Sequence, residues 1–307
     1  MIRLPIAVAM LCLLLAACAT PAADGPGIWS LAPPVQRVAP DEVMARVRTA
    51  DILLAGEVHD NARHHAGQAA IVRAAADGDR PVVVVFEMLD RDQQAAIDAY
   101  RRGGGDAAGF AAAVDWTGRG WPDPALYRPL FDAIFAANAT IVAGDLPKAA
   151  IRNVGRQGMA AAPAGLVGRF ALDVPLDLAT RTTLLDIQDE AHCRLLPRGA
   201  LGPMVDVQRL RDAALADAVL AARSNDPAAR VVLIAGAGHV GLDLGVGALL
   251  RATEPAAALL VVAFGEATAE NAASVRNDAA GQADMLWLTE PAERPDPCED
   301  LRRRFTR

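Results

Sequence analysis

At 307 residues, with 53% apolar side chains but only 4% aromatic ones, the chain has material for a sizeable core of aliphatic and small residues. Its 30 basic against 37 acidic residues give a net charge of −7, which lacks the basic footprint of a general nucleic-acid binder. Apart from Arg302-Arg303-Arg304 at the tail there is no basic run, so attachment to a membrane through a polybasic patch is excluded as well.

Residues 1–17 read as a targeting segment. Arg3 supplies the positive charge, Leu4 to Leu15 the apolar stretch and Leu15-Ala16-Ala17-Cys18 the processing site. The apolar stretch is shorter than the roughly 20 residues a membrane span needs. Leu-Ala-Ala-Cys resembles the lipobox of bacterial lipoproteins, which implies that Cys18 carries the lipid, palmitate included, and becomes the first mature residue. Cys18 is not followed by Asp, and by the same resemblance the implied address is the outer membrane, facing the periplasm. Residues 18–40, rich in Pro, Ala and Gly, read as a tether, and 41–307 as a single domain. Cys12 leaves with the signal, so two cysteines remain beside the lipidated one. In an oxidising periplasm Cys193 and Cys298 are expected to form a disulfide; two free thiols, or Cys193 as a metal ligand beside His192, are the alternatives.

Asp41-Glu42 begins a short helix that ends before the apolar run Ile52 to Ala55, which reads as a buried strand. Asp60 or Asn61 caps a helix to about Ala76, and Val82 to Phe86 is the next strand, so a right-handed parallel crossover is expected. Helical pattern resumes over 92–102 and breaks at Gly103-Gly104-Gly105. Residues 115–129 hold two Trp, one Tyr and three Pro and read as an ordered loop. A helix through Phe131 to Ala137 and a strand at Thr140 to Ala143 follow it. Residues 151–203 are helical but irregular, an insertion that could cap the sheet edge. Pro203 is expected to open a helix running from Met204 to Ser224. Strands at Val231 to Ala235 and Ala258 to Phe264, a helix between them at Gly245 to Ala252, and a last strand at Met285 to Leu288 complete the pattern. The fold class is therefore α/β, a mostly parallel sheet with flanking helices and a helical cap insertion.

Four of these strands end in polar clusters: Gly56-Glu57-Val58-His59, Phe86-Glu87, Gly144-Asp145 and Gly236-Ala237-Gly238-His239. Ligands of open α/β sheets bind beyond the carboxyl ends of the strands, so these side chains are expected along one edge. Glu57 and Glu87 read as ending neighbouring strands, where paired carboxylates can hold a divalent ion or act as acid and base. His59, His64 and His65 lie near a helix N-terminus, suited to an anion or a metal; plain packing is the alternative for His64 and His65. Gln208, Arg211 and Asp212 share one helical face. His192 is either a ligand or a surface residue. Haem iron takes Tyr, His, Cys or Met as axial ligand, and on that ground the two tyrosines, Tyr100 and Tyr127, are candidates. A dinucleotide fingerprint, a P-loop lysine motif and a Gly-x-Ser-x-Gly elbow are all missing.

Taken in order, Gly56-Glu57-Val58-His59-Asp60, His64-His65 with Gln68, Phe86-Glu87-Met88, Gln94 with Asp98-Ala99-Tyr100, Trp121 with Tyr127 and Pro129, Leu146-Pro147-Lys148, His192-Cys193, Gln208 with Arg211-Asp212, and Gly238-His239 resemble the ChaN-like haem-binding uptake lipoproteins. The resemblance covers about Ile52 to Val240. It implies a lipid-anchored haem-binding protein of bacterial iron uptake, an outer-membrane haem receptor as partner, and two haems stacked face to face in a homodimer. It also implies a tyrosine iron ligand, with Tyr127 and Tyr100 as candidates and His59, His64, His65 and Arg211 around the haem. Asp145 departs from the pattern, since the family usually has Asn there. The wider superfamily, with Tiki-type metal-dependent proteases and erythromycin esterases, implies a second reading: a hydrolase whose divalent metal ion is held by Glu57, His59, Glu87 and His239. Binder or enzyme stays open at this point.

Overall fold

The computed structural model describes residues 25–305, so the expected signal segment and Cys18, the expected site of lipidation, lie outside the described residues. The described chain opens with β1 (Gly27–Ser30) and β2 (Gln36–Val38), which pair antiparallel at one edge of the sheet. These strands lie within the stretch to residue 40 that the sequence reads as a tether, so Gly27–Ser30 and Gln36–Val38 belong to the sheet instead. The reason is that Ile28, Trp29 and Leu31 are apolar enough to be drawn into the core, where all three are buried.

α1 (Pro40–Thr49) starts on a proline, carries Asp41 and Glu42 in its first turn and Arg46 and Arg48 in its last, the order its dipole favours. β3 (Ile52–Glu57) follows, then α2 (Ala62–Ala75), capped by the Asn61 side chain, which accepts from the Arg63 N–H at 2.9 Å. β4 (Val82–Asp90) is buried throughout and runs four residues past Phe86. After it come α3 (Gln94–Arg102), α4 (Phe110–Ala113), α5 (Arg128–Ala136) and β5 (Thr140–Asp145). The next helices are α6 (Lys148–Gln157), α7 (Ala164–Phe170), α8 (Leu178–Ala191) and the long α9 (Arg198–Asn225). Pro203 lies inside α9 instead of opening it. It forfeits one backbone hydrogen bond, and the burial of Leu201 and Val205 on either side keeps the helix continuous across it. β6 (Arg230–Gly236), α10 (Val246–Thr253), β7 (Leu259–Glu266), α11 (Ala272–Asp278), β8 (Met285–Thr289) and α12 (Pro297–Phe305) complete the described chain.

The eight strands form one sheet in the order β2-β1-β8-β7-β3-β6-β4-β5. The six strands from β8 to β5 are parallel, and β1 is antiparallel to both of its neighbours. The strands of Glu57 and Glu87 are not neighbours, as the sequence reading had them, because β6 lies between β3 and β4. Alternate residues serve opposite layers. Leu53 and Ala55 face the layer of α1, α2 and α5, whereas Ile52 and Leu54 face the layer of α9 and α10. Leaving β3 the chain moves towards β4, and leaving β6 it moves the other way to β7, with α2 and α10 on opposite faces. The carboxyl ends of β3 and β6 thus flank the switch point of the sheet, where a crevice forms. Over that edge α6, α7 and α8 pack on α9 around a smaller cluster of Leu146, Val154, Leu166, Leu172 and Leu210. A Cys193–Cys298 disulfide, with Cα atoms 5.6 Å apart, ties the end of α8 to α12.

Candidate functional site

β3, β6, β4 and β5 are adjacent in the sheet, so the four polar clusters arrive side by side. Glu57 ends β3 opposite Gly236 of β6, Glu87 follows Phe86 in β4, and Asp145 ends β5. Glu57, Glu87 and Asp145 are 2–3% exposed, and burying carboxylates without partners would cost several kcal/mol each. The answer to that cost is Arg211 of α9. Its Nη2 donates to Glu87 Oε1 at 2.7 Å, and its Nε donates to Asp145 Oδ2 at 2.7 Å. The Gly236 N–H donates to Glu87 Oε2 at 2.6 Å. Burial works against the Glu87 carboxylate, but the charges of His239 and Arg211 outweigh it and hold Glu87 well below the ordinary range. Burial wins at Asp145 and at Asp212, whose carboxyls are raised despite Arg211 and His239 respectively.

His239 stands in the turn after β6 and is 6% exposed. Burial disfavours its charged form, yet Glu87 and Asp212 push it up to about 10. As an imidazolium it donates through Nδ1 to Asp212 Oδ1 at 2.6 Å and turns Nε2 towards Glu87 Oε1 at 3.4 Å. Deprotonated at Nε2, it accepts from Arg211 Nη1 at 3.1 Å. Gln208 lies 3.0 Å from the same ring and donates to the Gly238 carbonyl at 3.1 Å. The stripe Gln208, Arg211 and Asp212 on α9 is therefore the helical half of the site.

The β3 half is built around Glu57. Its Oε1 accepts from Tyr127 Oη at 2.5 Å and from His59 Nδ1 at 2.8 Å, while Oε2 faces His65 Nε2 at 3.4 Å. Against burial, the hydrogen bonds from His59 and His65 lower its carboxyl to about 2. His59 is 31% exposed in its side chain, lies edge-on to Trp121 with centroids 5.1 Å apart, and reaches to 3.9 Å from Glu87 Oε2. Burial opposes its protonation, but the bond to Glu57 and the charge of Glu87 raise its pKa. His59 is thus the exposed link between the two halves.

His64 and His65 do not reach an accessible surface, contrary to the haem-binding role given them from sequence. Both are fully buried. His64 Nδ1 accepts from the Val58 N–H at 3.0 Å and Nε2 bonds Thr289 Oγ1 at 3.1 Å; burial lowers its pKa to about 4 and keeps it neutral. His65 stacks on Tyr127 at 3.6 Å and donates to the Leu126 carbonyl at 3.0 Å. These two brace the end of β3 and the loop carrying Tyr127.

The tyrosines differ from expectation as well. Tyr127 is 0% exposed, its hydroxyl is committed to Glu57, and burial with the Glu57 charge raises its phenol above the ordinary value. Tyr100 sits at the far end of α3, where its hydroxyl donates to the Asp106 carbonyl at 2.8 Å. Its neighbour Arg101 bonds Asn138 ahead of β5, which places Tyr100 at the amino ends of the strands, away from the site.

The metal set drawn from Glu57, His59, Glu87 and His239 is not assembled as one. Among the described residues no group of three or more His, Cys, Asp or Glu side chains is placed to hold a metal ion. The cation between Glu87 and Asp145 is the Arg211 guanidinium. Beside Arg211, however, α6, α8 and α9 enclose a cavity of about 630 Å³ whose lining includes Gly155, His192, Met204, Val207 and Gln208. His192, a ligand or a surface residue by sequence, lies on the wall of this cavity, which carries no local sequence signal because it arises only when the cap packs on α9.

A family described as "Haem-binding uptake, Tiki superfamily, ChaN" matches residues 43–250, about two-thirds of the chain. Among solved structures, the ChaN protein of Campylobacter jejuni, described with cofacial haem binding, shares 18% identity with a TM-score of 0.64, over 85% of this chain and 96% of that one. An erythromycin esterase mutant in its open conformation shares 12% identity over 74% of this chain and 72% of that one, with a TM-score of 0.41. The type III effector HopBA1 shares 12% over 82% and 94%, also at 0.41. No curated protein sequence matches the chain.

Proposed function

We propose, from the premise that this chain belongs to the ChaN family of haem-binding uptake proteins in the Tiki superfamily, that it binds haem for bacterial iron uptake. The observation that carries the reading is the extent of that match, which runs from α1 to α10 and takes in both the Glu/His edge and the helical cap. Haem asks for an apolar slot, a cation near its propionates and an axial donor. The cavity of about 630 Å³ fits the first requirement through Met204 and Val207. Arg211 is part of its lining, and the exposed Arg152, one turn before the lining residue Gly155 on α6, is the basic group near it. Bound haem would supply the redox-active iron centre, and the chain's own part is to hold and orient the macrocycle under the cap.

The finer parts of the reading are a lipid anchor at Cys18, an outer-membrane location facing the periplasm, an outer-membrane haem receptor as partner, and a homodimer enclosing two cofacial haems. Their support is the Leu15-Ala16-Ala17-Cys18 sequence and the family membership. The alternative, a metal-dependent hydrolase, asks for a cation where Arg211 already stands, and the geometry favours the binder. The test is a hemin titration of residues 19–307 followed by absorption and by sedimentation. A saturable Soret shift with haem-dependent dimers is the expected result, and absence of any shift would overturn the haem reading. For the anchor, Cys18→Ala should abolish palmitate labelling and release the protein from the membrane fraction; an unchanged distribution would refute it.

A further inference from the structure

We propose that His192, at the end of α8, is the axial ligand of the haem iron, and that it takes the place of a tyrosine. This rests on the haem-binding reading above. The first support is what already occupies the other tyrosine, cysteine and histidine donors. The chain has two tyrosines, of which Tyr127 is fully buried on Glu57 and Tyr100 lies at the opposite end of the sheet. Cys193 and Cys298 are joined to each other, which removes a thiolate from the described residues.

Among the five histidines, His64 and His65 are buried, and His239 is 6% exposed with its ring held between Asp212, Glu87 and Arg211. His59 keeps Nδ1 on Glu57 and turns Nε2 to Glu87, two carboxylates that favour the imidazolium, which has no lone pair to give a metal.

His192 is arranged differently. Its Nδ1 lies 2.7 Å from the Gln188 carbonyl oxygen, and a carbonyl only accepts, so Nδ1 carries the proton. The lone pair is therefore on Nε2, for which the described residues show no hydrogen-bond partner. A backbone carbonyl fixing one nitrogen while the other faces outward is the usual support of a metal-bound imidazole. The ring is half-buried and lines the cavity beside Met204, Val207, Gln208 and Arg211.

The position of the ring is also fixed from its C-terminal side. Cys193 and Arg194 adopt φ of 58° and 55°, the left-handed region, so α8 stops at His192, and the disulfide from Cys193 ties that point to α12. His192 at the end of α8 and Arg211 on α9 thus line one cavity.

The test compares hemin complexes of residues 19–307 as wild type, His192→Ala, His192→Gly, His192→Gln and the two Tyr→Phe variants at 127 and 100. The expected results are an iron–imidazole stretch in the resonance Raman spectrum of the ferrous wild type and its loss in all three His192 variants. Affinity in His192→Ala should fall at least tenfold, and added imidazole should restore the wild-type spectrum to His192→Gly. His192→Gln can keep the bond to Gln188 and so separates loss of the ligand from loss of the helix end. Haem bound with a spectrum indifferent to His192, or one altered by Tyr100→Phe or Tyr127→Phe, would overturn the ligand assignment while leaving haem binding intact. A wild type that binds no haem would overturn both.

Discussion

Replacing Arg211 by Met removes the one guanidinium shared by Glu87 and Asp145 while keeping most of the side-chain volume. Arg211 is 20% exposed in its side chain, and its carboxylate partners are 2% and 4% exposed, so water does little to screen the loss. Breaking a buried pair by removing one partner costs about 3–5 kcal/mol. Because burial already raises the Asp145 carboxyl, that group can take up a proton in the variant, which draws the cost towards the lower end. For a domain of this size each kcal/mol moves Tm by about 2–4 °C, so the drop at pH 7 should be roughly 6–20 °C. The sign with pH follows from Asp145, because the depressed Glu87 carboxyl stays ionised in the folded wild type down to pH 4.5. Burial raises the Asp145 carboxyl and Arg211 holds it down, so in Arg211→Met it rises further and takes up its proton at a higher pH than in the wild type. The gap between wild type and variant should therefore narrow from pH 7 to pH 4.5. Thermal unfolding of both proteins by circular dichroism at the two pH values measures it. A variant as stable as wild type at pH 7, or a deficit of the same size at both, would refute the reasoning.

Other consequences can be checked in the same soluble protein. His239 is raised to about 10, so the stability it gives is fully present below 6.5 and lost as pH rises through 10; His239→Gln should remove that alkaline slope in urea unfolding. A Cβ added at Gly236 would lie 3.0 Å from His59 Nε2, so Gly236→Ala should displace the His59 ring and cost about 1–3 kcal/mol, read from the His59 imidazole resonances and from Tm. Cys193 and Cys298 are 105 residues apart, and Cys298→Ser should cost about 3–5 kcal/mol by restoring freedom to the unfolded chain, visible as a lower Tm that no longer responds to reductant.

The strand cores and the polar residues that end them were legible because short apolar runs stopped abruptly at Glu57, Glu87, Asp145 and His239. Their lateral order was not. A strand such as β6, with all seven residues buried, has no polar face to say which neighbours it takes, and so its place between β3 and β4 went unseen. β1 was hidden by the Pro- and Gly-rich composition around Ile28 and Trp29, and the start of α9 by Pro203. The surroundings of the tyrosines and histidines were hidden for a different reason. What decides them is burial against partners far away in sequence: Tyr127 meets Glu57 from 70 residues downstream, and His64 meets Thr289 across 225. The α9 stripe was readable from its spacing of three and four, whereas the cavity beneath the cap exists only once α6 and α8 pack on that helix.

Haem held under the cap, beside Arg211, is tested most directly by hemin titration of the wild type against Val207→Trp, which fills the cavity wall while leaving the Glu/His edge untouched. Saturable uptake by the wild type, abolished in a folded Val207→Trp, is the expected result. Equal uptake by the two proteins would contradict it.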